Sequence, residues 1–419
     1  MGAARALSAD AFEALAAELR AGATPAGVEI LKRNSARVAA RAGDVALKVY
    51  LERPETAERE ARALERARMR GIAVPELAAR GRDWTATGWL SRARPAARAD
   101  LPLLLRAIAD AHRRGLLHGD LHLGNLLVEE GRVVFLDLQR ARFLPWIPGA
   151  LRRRELGFFA FSLLDPLPPE LEGVRFWRDR RAQSHWKSRT ARCLEESTGY
   201  TAWRSGFRRR DADLSRLPDL AGVAPFKRTD GAELFRAGPW IVKRFARAAD
   251  ARRAWVGGNG LEARWIDTGR ALAWSGAELV MEDGGATVTD FVDGGDFARA
   301  SESERAELAR ALGSLLGRLH RRGVYHADLK ANNLLWRTGA PPRLLDYGNV
   351  RFGARVPRRR RVKNLAQLNA ALPDGVPAAF REAALAAYLA ESGYRDDPDR
   401  LRRDVIAASV KRRHRWRGC

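Results

Sequence analysis

The stretch HRRGLLHGDLHLGNLL at residues 112–127 returns as HRRGVYHADLKANNLL at 320–335, at a constant offset of 208 with ten of sixteen positions identical. The identities include polar residues that do chemistry: His118 and His326, Asp120 and Asp328, Asn125 and Asn333. Each copy is followed by an apolar string ending in aspartate, VVFLD at Asp137 and PRLLD at Asp346. A gapless match of this kind predicts duplication of a whole domain. A chain of 419 residues is also too long for one typical core, and suits two domains of about 200 residues each. The polar stretch FRRRDADLSRLPDLAG, with Pro and Gly, places the boundary and gives domains over 1–210 and 211–419.

The two halves share a plan as well as a string. In the second, Ser301 and Glu304 form a capping-box pattern, and Leu308, Leu312, Leu315, Leu316 and Leu319 then recur at helical spacing up to Gly323. In the first, Leu101, Leu104, Leu105 and Ile108 make the same stripe before Gly115. These leucines are expected to pack a core. Upstream lie two runs of strand formers, DVALKVY at 44–50 and PWIVKRF at 239–245. Each holds a lysine, Lys48 or Lys243, in a chain with only 8 lysines among its 75 basic residues. Where arginine is the default cation, a lysine in a strand is worth notice, because the two differ in size and donor geometry. Downstream of Asp137 and Asp346 the pattern turns helical, with Leu156, Phe159 and Phe161, then Leu365, Leu368 and Leu372. Each half is predicted to have a β-rich front and an α-helical back, an α+β fold made twice.

Asp, then Asn five residues later, then a strand ending in a second Asp, is an arrangement for handling a metal-bound phosphate. Asp120 and Asp328 would accept the proton of an acceptor hydroxyl. Asn125 and Asn333 would offer neutral oxygens, and Asp137 and Asp346 carboxylates, all hard ligands that suit Mg²⁺. Lys48 and Lys243 would grip phosphates. In the first half Glu60 can pair with Lys48 from a helix, with Glu58 close enough to compete.

HGDLHLGNLL…FLD and HADLKANNLL…LLDYG resemble the catalytic and metal-binding loops of the protein-kinase-like superfamily, with DYG where that family has Asp-Phe-Gly. The lysine-bearing strands and EAR…RGIAVPEL are similar to its bacterial small-substrate branch, and in particular to the lipopolysaccharide core kinases of heptose and Kdo sugars. VKNLAQLNAALP at 362–373 and SVKRRHRW at 409–416 resemble the C-terminal parts of those kinases. The resemblance implies two tandem bilobal protein-kinase-like domains, each a β-rich N-lobe and an α-helical C-lobe. It implies ATP and Mg²⁺ as cofactors, and phosphoryl transfer to a sugar hydroxyl. It also implies that Lys330, two residues after Asp328, contacts the transferred phosphate; the first half has His122 there.

The departures define rival readings. Neither lysine is preceded by a Gly-x-Gly-x-x-Gly loop; KRNSARVAARAGD and KRTDGAELFRAG stand in its place. Aligning RGI at 70–72 with RWI at 264–266 puts Ala254 where Glu60 would lie. These gaps would suit a nucleotide-binding pseudokinase scaffold, whereas HADLK and DYG would suit a protein Ser/Thr kinase.

The net charge of +24 predicts an anionic partner. Nucleic acid is not expected, because no reading motif accompanies the charge. The expected partners are a lipopolysaccharide core or other membrane-attached glycolipid, and an anionic membrane surface. No apolar run is long enough to span a bilayer, the N-terminus lacks a secretory pattern, and Cys193 and Cys419 make no disulfide framework. A cytoplasmic protein, peripheral on the inner face of the cytoplasmic membrane, is therefore expected. Phe176, Ala182, Trp186, Thr190 and Cys193 fall roughly on one helical face, which could lie on such a surface.

Overall fold

The computed structural model describes residues 8–412, and its contacts divide the chain into two compact units, Met1–Ala182 and Gln183–Cys419. The last residues of SVKRRHRW, and Cys419, lie outside the described residues.

In the first unit, helix α1 (Ala9–Arg20) starts where the Ser8 hydroxyl accepts the Ala11 amide hydrogen at 3.2 Å, satisfying an amide at the open helix end. It lays Phe12, Ala16 and Leu19 on a sheet of five antiparallel strands. These are β1 (Val28–Arg33), β2 (Arg37–Ala42), β3 (Val45–Tyr50), β4 (Leu77–Arg80) and β5 (Trp84–Gly88), ordered β1-β2-β3-β5-β4. Side chains alternate across a strand, so Val38, Ala40, Leu47 and Val49 enter the α1 core while Lys48 faces the other way. Helix α2 (Glu55–Met69) follows β3. A second core gathers Leu104 and Ile108 of helix α3 (Leu101–Arg113), Phe135, and Phe159 of helix α4 (Gly149–Ser162).

The second unit repeats the order and extends it. Strands β6 (Tyr200–Trp203), β7 (Gly206–Arg209), β8 (Lys227–Thr229), β9 (Ala232–Ala237), β10 (Trp240–Phe245), β11 (Ala271–Ser275) and β12 (Glu278–Glu282) form one sheet. Its order, β8-β9-β10-β12-β11-β7-β6, is that of the first sheet with a hairpin added at the far edge. The hairpin lies with the second unit, and the division of contacts falls after Ala182, inside helix α5 (Arg175–Ala191). Residues 200–209 hydrogen-bond into the second sheet through Phe207 and Trp274, a pairing across a long separation that composition does not register. Helix α6 (Ala248–Glu262) follows β10, and α7 (Glu302–Arg321), with Ser301 and Glu304 in the expected capping box, buries the whole leucine stripe. Helices α8 (Arg358–Ala370), α9 (Ala378–Ser392) and α10 (Pro398–Val410) complete the unit.

Gly115 and Gly323 close α3 and α7 at φ of 81° and 72°, where a side chain would be strained. The membrane-facing role considered for α5 is not available to its main apolar residue. Trp186 is buried edge-on to Trp265 and beside the Arg264 guanidinium, whereas Phe176 is the exposed one. None of the described helices is long and apolar enough to cross a membrane.

Candidate active site

In the first unit, β3 carries Lys48 to a cluster of charges. Its Nζ donates to Glu60 Oε1 at 2.7 Å and also to Asp137 Oδ1. Glu60 comes from α2 and is 2% exposed. Its other oxygen accepts from the Tyr50 hydroxyl, and from Thr85 Oγ1 at 3.3 Å. Glu58, the competing carboxylate, instead pairs with Arg62 and Arg80 near the surface. Asp137 has a left-handed backbone, φ 55°, and receives a second cation, Arg37 Nη2, at 3.0 Å on Oδ2. Burial alone would raise the Asp137 carboxyl, but Lys48 and Arg37 outweigh it and hold it well below the usual range. Burial likewise disfavours charge on Lys48, and Glu60 and Asp137 more than compensate.

The repeated string supplies the rest. His118 Nε2 donates to the Leu136 carbonyl at 2.8 Å, and its Nδ1 accepts the Asp120 amide at 3.4 Å. Burial lowers its pKa, so the ring is a neutral brace between the loops of Asp120 and Asp137. Asn125 Nδ2 donates to the Asp120 carbonyl at 2.9 Å, which leaves its own oxygen free to ligate.

The second unit reproduces this frame. Lys243 Nζ meets Asp346 Oδ1 at 2.9 Å, and Asp346 also sits at a left-handed φ, 56°. Burial opposes the Asp346 charge; Lys243, then the Asn349 amide, pull its pKa below the usual range. His326 reaches the Leu345 and Asp346 carbonyls, and Asn333 Nδ2 donates to the Asp328 carbonyl at 2.8 Å. Lys330 Nζ lies 2.9 Å from Asp328 Oδ1, so the lysine and the proposed base share one edge of the loop.

Around Lys243, however, the polar surroundings of Lys48 are gone as a set. Strand register shows it. Lys48 pairs with Thr85 on one side, and Tyr50, two residues on, pairs with Arg37 on the other. In the second sheet Lys243 pairs with Leu279, and Phe245 with Ala232. Ala254, which the alignment of RGI with RWI sets opposite Glu60, is buried. Arg37, Tyr50, Glu60 and Thr85 thus correspond to Ala232, Phe245, Ala254 and Leu279. Helix α6 also closes directly on the DYG segment: a Cβ on Gly257 would lie 2.2 Å from the Tyr347 carbonyl oxygen.

The structure brings together Lys48, Glu60 and Asp137, and separately Lys243 and Asp346, and it ties each Asn to the backbone of its Asp120 or Asp328 loop. Sequence reasoning did not find Arg37, Tyr50, Thr85 or Asn349. The first three are visible only once the register across β2, β3 and β5 is known.

Comparison with known proteins fits this frame. The model of the lipopolysaccharide kinase (Kdo/WaaP) family matches residues 270–388, and that of the phosphotransferase enzyme (APH) family matches 77–147. The first segment contains Asp328, Lys330, Asn333 and Asp346; the second contains Asp120, Asn125 and Asp137. No curated protein sequence matches the chain. Among solved structures, WaaP in complex with acyl carrier protein is 20% identical with a TM-score of 0.38, over 48% of this chain and 89% of that one. A choline/ethanolamine kinase family protein from Mesorhizobium loti is 16% identical with a TM-score of 0.30, over 43% and 85%. Through residues 270–388 the chain is similar to the lipopolysaccharide kinase (Kdo/WaaP) family and through 77–147 to the phosphotransferase enzyme family, two kinase matches that make it an ATP-dependent phosphotransferase.

Proposed function

We propose that the chain consists of two tandem bilobal kinase-like domains and transfers the γ-phosphoryl group of ATP to a hydroxyl of a lipopolysaccharide core sugar. The observation that carries this reading is the match to the lipopolysaccharide kinase family over the segment holding Asp328, Lys330, Asn333 and Asp346. The donor set fits Mg²⁺-ATP. Each half offers one carboxylate and one amide oxygen, and no group of three or more His, Cys, Asp or Glu residues poised for a metal occurs among the described residues. Two protein ligands per half suit Mg²⁺, which takes its remaining ligands from phosphates and water. An orphaned donor, Arg37 Nη1, is buried beside Asp137 with no partner, as expected where an anion belongs.

Asn125 with Asp137, and Asn333 with Asp346, would hold the ion, which when bound neutralises phosphate charge. Lys48, kept in place by Glu60, and Lys243 would bind the nucleotide phosphates. Asp120 or Asp328 would orient the acceptor hydroxyl and take its proton as the new P–O bond forms and ADP departs. Lys330 would steady the transferring phosphate. The acceptor is membrane-attached, so the enzyme would work peripherally at the inner face of the cytoplasmic membrane, where its net charge of +24 is attractive. The test is transfer of γ-labelled phosphate by the full chain to dephosphorylated core oligosaccharide and, in parallel, to a Ser/Thr peptide pool. Label in the sugar is expected; label confined to peptide would replace this reading with that of a protein kinase.

A further inference from the structure

The first unit has a lysine, a metal pair and a base, but no glycine-rich loop to cover phosphates. The turn in that place, Asn34-Ser35-Ala36 between β1 and β2, has most of its backbone amides already committed. Asn34 Oδ1 already accepts the amide hydrogens of Ala36 at 3.0 Å and Arg37 at 2.9 Å, and the Asn34 amide donates to the Arg37 carbonyl at 3.0 Å. Those amides are the groups a phosphate loop would otherwise present to its ligand.

The side chain that leaves this turn does the opposite. Arg37 faces inward from the first residue of β2, with Nη2 on Asp137 at 3.0 Å and Nη1 buried without a partner. Asp137 is the same carboxylate that Lys48 holds, so two cations converge on one point of the cleft. A buried guanidinium nitrogen with an unused donor costs free energy unless an acceptor arrives. A guanidinium is also the side chain best shaped to grip phosphate oxygens in pairs. At the matching register of the second sheet stands Ala232, so this device belongs to the first unit alone.

We propose that Arg37 is a phosphate-binding residue of the first unit's nucleotide site, and that its side chain replaces the missing glycine-rich loop by holding the terminal phosphates of ATP. The assignment rests on the nucleotide-site reading of the first unit given above. The test is calorimetric binding of magnesium-ATP, ADP and AMP to the full chain carrying Lys243→Ala, which weakens the second unit's contribution, with and without Arg37→Met or Arg37→Lys. Arg37→Met should weaken ATP about tenfold to a hundredfold, the range for a hydrogen bond to a charged group. AMP should be unaffected within about twofold, since it lacks the phosphates concerned. Arg37→Lys should recover part of the loss, because it restores the charge without the fork. Equal weakening of ATP and AMP would show that Arg37 only braces Asp137, and unchanged ATP affinity would show that it does not touch phosphate; either overturns the assignment. Absence of all nucleotide binding in the parent chain would instead remove the nucleotide-site reading, and this assignment with it.

Discussion

Removing Glu60 alone should damage the first unit far more than replacing its whole network with the residues found around Lys243. Glu60 is buried and accepts from Lys48, Tyr50 and Thr85. Glu60→Ala leaves a buried hydroxyl without its acceptor, at about 1–3 kcal/mol. It also strips Lys48 of one of its two anions; breaking a buried pair outright costs about 3–5 kcal/mol, and the surviving Asp137 contact keeps the loss near the lower end. A combined loss of about 4–6 kcal/mol should lower the unfolding midpoint of a unit this size by on the order of 10 °C or more. The fourfold variant Arg37→Ala, Tyr50→Phe, Glu60→Ala, Thr85→Leu installs the apolar set found around Lys243; Lys48 keeps Asp137, and what stays uncompensated is Asp137 Oδ2, whose counterpart in Asp346 accepts from Asn349. Exchanging a buried ionic network for packed apolar groups is often neutral or stabilising, so its loss should shrink to about 1 kcal/mol. Calorimetry of the full chain measures both, the first-unit transition being the one that Glu60→Ala moves. A fourfold variant as unstable as Glu60→Ala would refute the reasoning, because the apolar set would then not be an alternative solution to the same site.

Asp120→Asn and Asp328→Asn should each leave the unfolding midpoint unchanged and lower transfer from the half they serve by about 10²- to 10⁴-fold; a double variant with full activity would exclude both as bases. His320, buried between the Tyr388 hydroxyl and Asn364 Oδ1, has its pKa lowered by burial from 6.5 to about 3. The unfolded chain therefore binds the proton first, so stability is intact above about pH 6.5 and falls by about 1.4 kcal/mol per pH unit below it. Midpoints at pH 7 and 5 should differ more for the parent than for His320→Gln. Gly257→Ala should destabilise the second unit by about 1–3 kcal/mol through the clash with the Tyr347 carbonyl, even though alanine favours a helix by about 1 kcal/mol; a midpoint that rises would show that the contact yields. Trp186→Ala should lower the midpoint without changing sedimentation with anionic liposomes, since the ring packs on Trp265.

Much of this was legible in the chain because it is local. The leucine stripe and capping box of α7, the closing glycines at 115 and 323, and the Asp–Asn spacing each depend on residues a few positions apart. The lysine strands were legible too, because lysine is rare here. Arg37 carried no such mark in a chain where arginine is the default cation, and its partner lies a hundred positions away, fixed by the fold. The place of the hairpin at 200–209 was hidden for a related reason: it belongs to whichever sheet its edge hydrogen bonds reach. The apolar face of α5 was visible, but not what covers it; Trp265 does so from outside the helix.

The glycines of α6 bear on how the second unit is made. Gly257 and Gly258 weaken an isolated helix by about 1 kcal/mol each relative to alanine, and the close fit of Gly257 to Tyr347 and of Gly258 to Ala271 and Tyr347 offsets that loss. During synthesis α6 can pack on Cys193, Tyr200 and Ala271 as the sheet forms, but Gly257 has nothing to close on until the chain has been extended past Tyr347. The strands before it emerge earlier, with Lys243 already in place. The final seating of this helix on its sheet thus waits for a residue beyond the end of the repeated string, and a chain stopped short of Tyr347 would lack the contact that Gly257 is shaped for.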